Sequence, residues 1–247
     1  MHPILLEISL DSVESAIIAE KAGADRIELC TNLSEGGTTP SLGMIQQVRK
    51  HLHIPIYIII RPRAGDFCYS EEEFEIMKTD IRLTREAGAD GVVFGILKPD
   101  GGVDTERTTE LVELSRPMSV TFHRAFDMTS NPTVALEAII SSGANRILTS
   151  GQKPSAWEGM QLIAQLVQQA GDRIIIMPGA GINETNILDI LKITQATEFH
   201  MSAVKSINGR MLFRPQHLHM GHSNNSEYEL LRTDTDKIRK IKEQIRL

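Results

Sequence analysis

The residues able to do chemistry in this chain recur two apart. Glu7 and Ser9, Glu28 and Cys30, Arg61 and Arg63, Thr121 and His123, and His200 and Ser202 all sit in short runs with mostly apolar intervening positions. In a strand, positions two apart share one face, and the apolar positions take the other. If those strands enclose a common space, two carboxylates, a thiol, an arginine and two imidazoles meet at one end of it. Glu28 or His123 could then act as general acid or base, because burial and neighbours tune both toward neutral pH. Arg61 and Arg63 could clamp a carboxylate or phosphate bidentately. The catalytic candidates are therefore Glu7, Glu28, Arg61, His123 and His200, with Arg63 as an anion-binding group. The alternative is that Glu–Arg pairs merely fill the centre of the fold.

Three further clusters stand out. Met177-Pro178-Gly179-Ala180-Gly181-Ile182-Asn183-Glu184 joins a strand-like run to a helix-like one. Gly179 and Gly181 let a backbone approach an anion at a helix N-terminus, and Ser202 and Lys205 could add a hydroxyl and a charge. The alternative is a plain turn with Asn183 as N-cap. Glu35 to Thr39 could form a loop over the site, hinged at Gly36 and Gly37. His217, His219 and His222 lie close enough to bind Cu(II), Ni(II) or Zn(II), or to form only a solvated loop.

A repeat shows what must position these groups. Ala22-Gly23-Ala24-Asp25-Arg26-Ile27-Glu28-Leu29 returns as Ala87-Gly88-Ala89-Asp90-Gly91-Val92-Val93-Phe94 and as Ser142-Gly143-Ala144-Asn145-Arg146-Ile147-Leu148-Thr149. A weaker copy spans Gln195 to Met201. Each copy follows a helix-like stretch and opens a strand. With the intervening runs this predicts strands near 4–10, 26–30, 55–62, 91–97, 119–125, 146–150, 173–178 and 198–203. Helices are expected near 12–22, 41–51, 71–87, 104–115, 132–141, 156–170 and 183–192. Eight alternating units in about 250 residues fit an α/β single-domain (β/α)8 TIM barrel. An open doubly wound sheet would carry a GxGxxG turn after the first strand, and none is present. The barrel core is expected over 4–205. Residues 206–226 read as a loop, and a closing helix is expected from Asp234, with Ile238, Ile241 and Ile245 on one face.

Composition narrows the function. The 247 residues carry 26 basic and 32 acidic side chains, a net charge of −6, with no basic stripe to grip a nucleic-acid backbone. Two cysteines, Cys30 and Cys68, cannot build a disulfide framework and suit a reducing compartment. The longest apolar run, Ile54 to Ile60, is too short to span a bilayer, and the N-terminus does not read as a signal peptide. A cytoplasmic protein acting on a small anionic ligand is expected, without nucleic acid or membrane partners.

Several motifs together carry a resemblance. They are Leu6-Glu7-Ile8, Gly23 to Cys30, Glu35-Gly36-Gly37-Thr38-Thr39-Pro40-Ser41 and Ile60-Arg61-Pro62-Arg63-Ala64-Gly65-Asp66-Phe67. His123-Arg124-Ala125-Phe126-Asp127, Ile147 to Gly151 and Pro178 to Ile182 complete the set. In this order they resemble the CutC copper homeostasis family over about residues 4–205. The resemblance implies a cytoplasmic, homodimeric TIM barrel with a role in copper handling. Copper as a bound ion would call on Cys30, a histidine and Cys68 if its loop folds over, since Cu(I) favours thiolate and thioether ligands. No CxxC or Met-x-x-Met cluster is present. The residues themselves read more naturally as an enzyme site, with the reaction left open.

Overall fold

The computed structural model describes residues 4–215, 218 and 226–245. Eight parallel strands make the sheet: β1 (Leu5–Leu10), β2 (Arg26–Leu29), β3 (Ile56–Ile59), β4 (Gly91–Phe94), β5 (Ser119–Phe122), β6 (Arg146–Thr149), β7 (Ile175–Pro178) and β8 (Glu198–Met201). Their order is 7-6-5-4-3-2-1-8, and β8 returns alongside β7 to close the ring. Helices alternate with them: α1 (Val13–Ala22), α2 (Leu42–His51), α3 (Glu71–Glu86), α4 (Thr105–Ser115), α5 (Pro132–Ser141), α6 (Ala156–Ala170) and α7 (Ile187–Thr194). This is the (β/α)8 barrel that the alternation predicts.

The repeat has a physical job. Gly23, Gly88 and Gly143 end their helices at φ +100°, +82° and +81°, where a side chain would be strained. Two residues later an acceptor side chain grips the start of the preceding strand. Asp25 accepts from the Leu6 N–H at 2.8 Å, Asp90 from Ile56 at 2.9 Å and Asn145 from Val120 at 2.7 Å. The next residue begins the new strand pointing into the lumen. The repeat thus locks neighbouring strands in register and places Arg26, Gly91, Arg146 and Glu198 at the same inward level.

Alternation divides the apolar residues into two groups. Leu6, Ile8, Ile27, Leu29, Ile58, Val92, Phe94, Phe122, Ile147 and Phe199 face the helices in one continuous core. Cys30, Tyr57, Ile59 and Val93 form a separate patch inside the barrel. Helix starts are capped as composition demands. Ser12, Ser41, Ser70 and Ser155 accept backbone N–H groups of the first turn, and Ser70 with Glu73 completes a capping box.

Two expectations need correction. Residues 206–226 do not begin as a loop: β9 (Val204–Asn208) pairs antiparallel with β10 (Glu229–Thr233). The hairpin rests on α1, where the Thr233 N–H donates to Ser15 Oγ at 3.1 Å and Arg232 pairs with Glu14 at 3.0 Å. The seventh helix does not begin at residue 183. Asn183 Oδ1 instead accepts from the N–H and hydroxyl of Thr185, an Asx turn that delays α7 to Ile187. The closing helix, α8 (Thr235–Ile245), buries Ile238 and Ile241 and packs on α1, with Lys242 paired to Asp25.

Candidate functional site

The lumen fills from the bottom with charge. Arg26 donates from Nε to Glu7 and from Nη2 to Glu198 at 2.6 Å. Arg146 donates to both oxygens of Glu198, at 2.7 and 3.1 Å, and reaches the Tyr57 hydroxyl at 3.3 Å. The Tyr57 ring lies between the two guanidiniums, with ring centroid distances of 4.6 and 5.3 Å. Two cations and two anions therefore balance in a space with almost no solvent, the condition under which buried charge is tolerable. Arg26, Arg146 and Glu198 are absent from the expected site. The parity that sends Glu28 and His200 inward also sends in residues two positions earlier, so extending the alternation back to the strand starts would have found Arg26 and Glu198.

Above this layer sits a proton-bearing chain. Glu7 Oε1 meets His200 Nδ1 at 2.7 Å, and His200 Nε2 lies 3.9 Å from Glu28 Oε2. The Ser9 hydroxyl donates to Glu28 at 3.2 Å. Burial alone would raise Glu7, but the charge of Arg26 and the contacts of His200 outweigh it and hold the carboxyl at about 2. Glu28 goes the other way: burial, aided by the negative charge of Glu7, raises it. Burial disfavours the charged form of His200, yet Glu28 and Glu7 together raise its pKa. The result is an imidazole between two unlike carboxylates, one held well below the usual carboxylate range and one raised above it.

The mouth opens into a cavity of about 560 Å³ lined by Ser9, Glu28, Arg61, His123, Asp127 and His200, among others. Gly181 and Ser202 also line it. Gly179 instead permits tight packing, since a Cβ there would lie 2.5 Å from Leu148 and 3.4 Å from His200. Lys205 lies on the exposed hairpin, 3.9 Å from Asp234, and does not join the site. Arg61 reaches the cavity, but Nη1 donates to the carbonyls of Glu35 and Gly37 and Nη2 to that of Gly65. It therefore straps the loop after β2 to the loop after β3. Arg63 is also spent, on Glu73 at 2.5 Å and on Asp66 at 3.0 Å. The expected bidentate clamp is not formed, because loop carbonyls occupy Nη1 and Nη2 of Arg61, whose buried Nε has no partner, and acidic neighbours hold Arg63. Asp127, a further group outside the expected set, accepts from Ser150 and Thr149 and fixes the loop after β6.

The donors can be tested against copper. The ligand atoms of Glu7, Glu28 and His200 lie within 4.8 Å of one another. This oxygen and nitrogen set suits a borderline divalent ion, not Cu(I). Both Glu7 oxygens, moreover, already hold Arg26 and His200. Cys30 is 1% exposed, and burial, with the charge of Glu28, raises its pKa, so the group is a thiol and not a thiolate. Its sulfur contacts Leu10 O at 3.5 Å and Ser9 Oγ at 3.9 Å. Cys68 is half-buried in the loop after β3 and does not line the cavity. The described residues therefore do not fit a Cu(I) centre. His217, His219 and His222 lie outside the described residues.

Residues 4–205 match the model of the CutC family. A human protein named copper homeostasis protein cutC homolog is 52% identical over 238 residues, 96% of this chain and 87% of that one. A CutC family protein of Chromobacterium violaceum is 46% identical over 241 residues, 98% of each chain. The crystal structure of a Streptococcus agalactiae CutC, described as a copper homeostasis protein, superposes with a TM-score of 0.77 at 34% identity, covering 81% of this chain and 98% of that one. With the family's motifs on the strands and loops that build the mouth, this chain belongs to the CutC family.

Proposed function

We propose that the chain is an enzyme that moves a proton on a small substrate held in the barrel mouth, with Glu28 and His200 as the proton-exchanging pair. One observation carries this reading: His200 sits between Glu7, which stays ionised, and Glu28, whose raised pKa suits general acid–base work. Carboxylates pushed apart by their surroundings are the usual mark of divided acid and base roles. The position supports it too, since barrel chemistry gathers at the C-terminal ends of the strands. Arg61 and the glycine-rich turn at Gly181 shape the cavity wall. The test is incubation of a small-molecule extract with the protein or with Glu28→Gln, followed by mass spectrometry. Composition should change with the wild type only; identical profiles would defeat the reading.

A second reading, direct copper binding, is favoured by the convergence of Glu7, Glu28 and His200 and by the copper homeostasis name of the relatives. An anaerobic Cu(I) titration against a competing chelator, with Cys30→Ala beside it, decides the thiol version. A Cu(II) titration with His200→Gln decides the oxygen–nitrogen version. Binding no tighter than the chelator in both makes the link to copper indirect. We also propose a cytoplasmic homodimer. No described helix is long and apolar enough to cross a membrane, and Leu212 and Phe213 stand exposed beyond β9. Sedimentation showing only monomer at micromolar concentration would refute the dimer.

A further inference from the structure

Among the described residues, His123 carries a buried nitrogen that the fold leaves without work. The residue is 5% exposed, lines the cavity, and its Nε2 has no hydrogen-bond partner. Its other nitrogen is committed, because Nδ1 accepts the Ala125 N–H at 3.2 Å. Burial, and then the charge of Arg61, push the ring down to about 3, so it is neutral. A neutral ring whose Nδ1 is an acceptor must carry its proton on Nε2. The ring is packed close: Gly95 leaves no room for even a Cβ, which would come within 2.7 Å of Nδ1, and Phe67 lies against the ring with centroids 4.9 Å apart. A donor buried without an acceptor is costly unless a ligand supplies one.

Resting on the acid–base reading above, we infer that the cavity takes a small α-hydroxy carbonyl compound, with the carbonyl oxygen on His123 Nε2 and the adjacent carbon facing Glu28. β2 and β5 are three places apart in a ring of eight, so the two groups address the lumen from different sides. Ionised Glu28 takes a proton from the carbon. The C–H pair becomes the new C=C bond, and the carbonyl π pair moves onto oxygen, where the Nε2–H holds it. Return of a proton from the Glu28 carboxyl to carbon restores the carbonyl, so nothing is oxidised or reduced. A neutral imidazole suits this task, being a weak acid that does not surrender its proton to the substrate in the ground state. The Arg61 charge, which has backbone carbonyls and no carboxylate among its hydrogen-bond partners, adds positive potential. Ser9 and Ser202 on the cavity wall offer partners to substrate hydroxyls.

The experiment is proton NMR in D2O with the full chain and three probes: dihydroxyacetone, glycolaldehyde and erythrulose. The α-proton signal of at least one should wash out with the wild type. Glu28→Gln and His123→Phe should each slow the exchange by about 100-fold or more, the effect of losing a base or an oxyanion donor. Because His123→Phe could fail to fold, a second measurement uses the wild type alone. Glycolohydroxamate, a mimic of the enediol, should shift the His123 Nε2–H resonance downfield in histidine-labelled protein. No exchange above buffer with any probe together with an unmoved resonance overturns the inference, as does undiminished exchange in a folded His123→Phe. Extract turnover that depends on Glu28, without α-exchange or a shift, would sink the carbonyl assignment alone; absence of all three would sink the acid–base reading with it.

Discussion

Glu198 is the hinge of the charge layer beneath the site, and replacing it tests how the barrel tolerates that layer. Glu198→Gln preserves size and one carbonyl acceptor but removes the charge that faces two guanidiniums. Three hydrogen bonds at 2.6, 2.7 and 3.1 Å lose their ionic acceptor. Arg26 and Arg146 are then left with Glu7 as the only anion of the layer. Removing one member of a buried ion pair costs about 3–5 kcal/mol, mostly from the partner left uncompensated. The Glu198 side chain keeps 10% of its exposure, which sets the expectation at the lower end, about 3 kcal/mol. For a chain of this size about 2–4 °C accompanies each kcal/mol, so the melting temperature should fall by about 6–12 °C. Calorimetry and urea unfolding measure it, with an unchanged m-value showing that the same surface is exposed. Glu198→Leu combined with Arg146→Met removes one charge of each sign and should recover much of the loss. A fall below about 2 °C for the single variant, or a double variant worse than the sum of its parts, would refute this account of the layer.

Other outcomes follow from the site. Glu28→Gln removes the largest contribution favouring protonated His200, so the His200 pKa read by NMR should drop; an unchanged value would mean the two groups do not couple. Stability should fall on acidification through two groups whose folded pKa values are depressed. Glu7 contributes fully above its unfolded 4.5 and loses its contribution as pH falls toward about 2, while neutral His123 does the same between 6.5 and about 3. His200, raised, acts in the opposite sense, contributing below 6.5 and losing that as pH climbs through its folded value. Melting temperatures from pH 8 to 3 should therefore fall less steeply below 6.5 in His123→Phe than in the wild type. Gly95→Ala would drive a methyl to 2.7 Å from His123 Nδ1 and 3.0 Å from the Ala125 Cβ, costing about 1–3 kcal/mol and displacing the ring. An unshifted His123 resonance in that variant would show that Gly95 does not set the ring's place.

The barrel was readable because its strands announce themselves. The Gly-Ala-Asp turns mark strand starts by a mechanism the chain must repeat, and alternation then assigns Glu7, Glu28, His123 and His200 to the lumen with no tertiary information. What escaped depends on partners remote in sequence. Arg61 has the type and spacing of an anion clamp, but only the folded loops show that three carbonyls have claimed it. Arg63 is lost to Glu73 for the same reason. The β9–β10 hairpin hides because its strands are half-exposed and separated by about twenty residues, so neither periodicity nor a tight turn advertises it. Asn183 reads as a cap and does cap something, but the structure it nucleates is a turn and not a helix.

The seam between β1 and β8 has a consequence for how the chain comes into being. Glu7 waits for His200 across 193 residues, and Asp25 waits for Lys242 across 217. On a ribosome adding about 5–20 residues per second, that is an interval of about 10–40 s. Throughout it the first strand offers one unpaired backbone edge, and Arg26 lacks half of its counter-charge. An edge of this kind invites pairing with other nascent chains. Glu7 on that strand, with Arg26 on the neighbouring β2, works against it, because the pair carries a hydration shell that a foreign strand would have to strip without supplying Glu198 and His200 in return. Charge that later serves the finished barrel thus also guards the unfinished one.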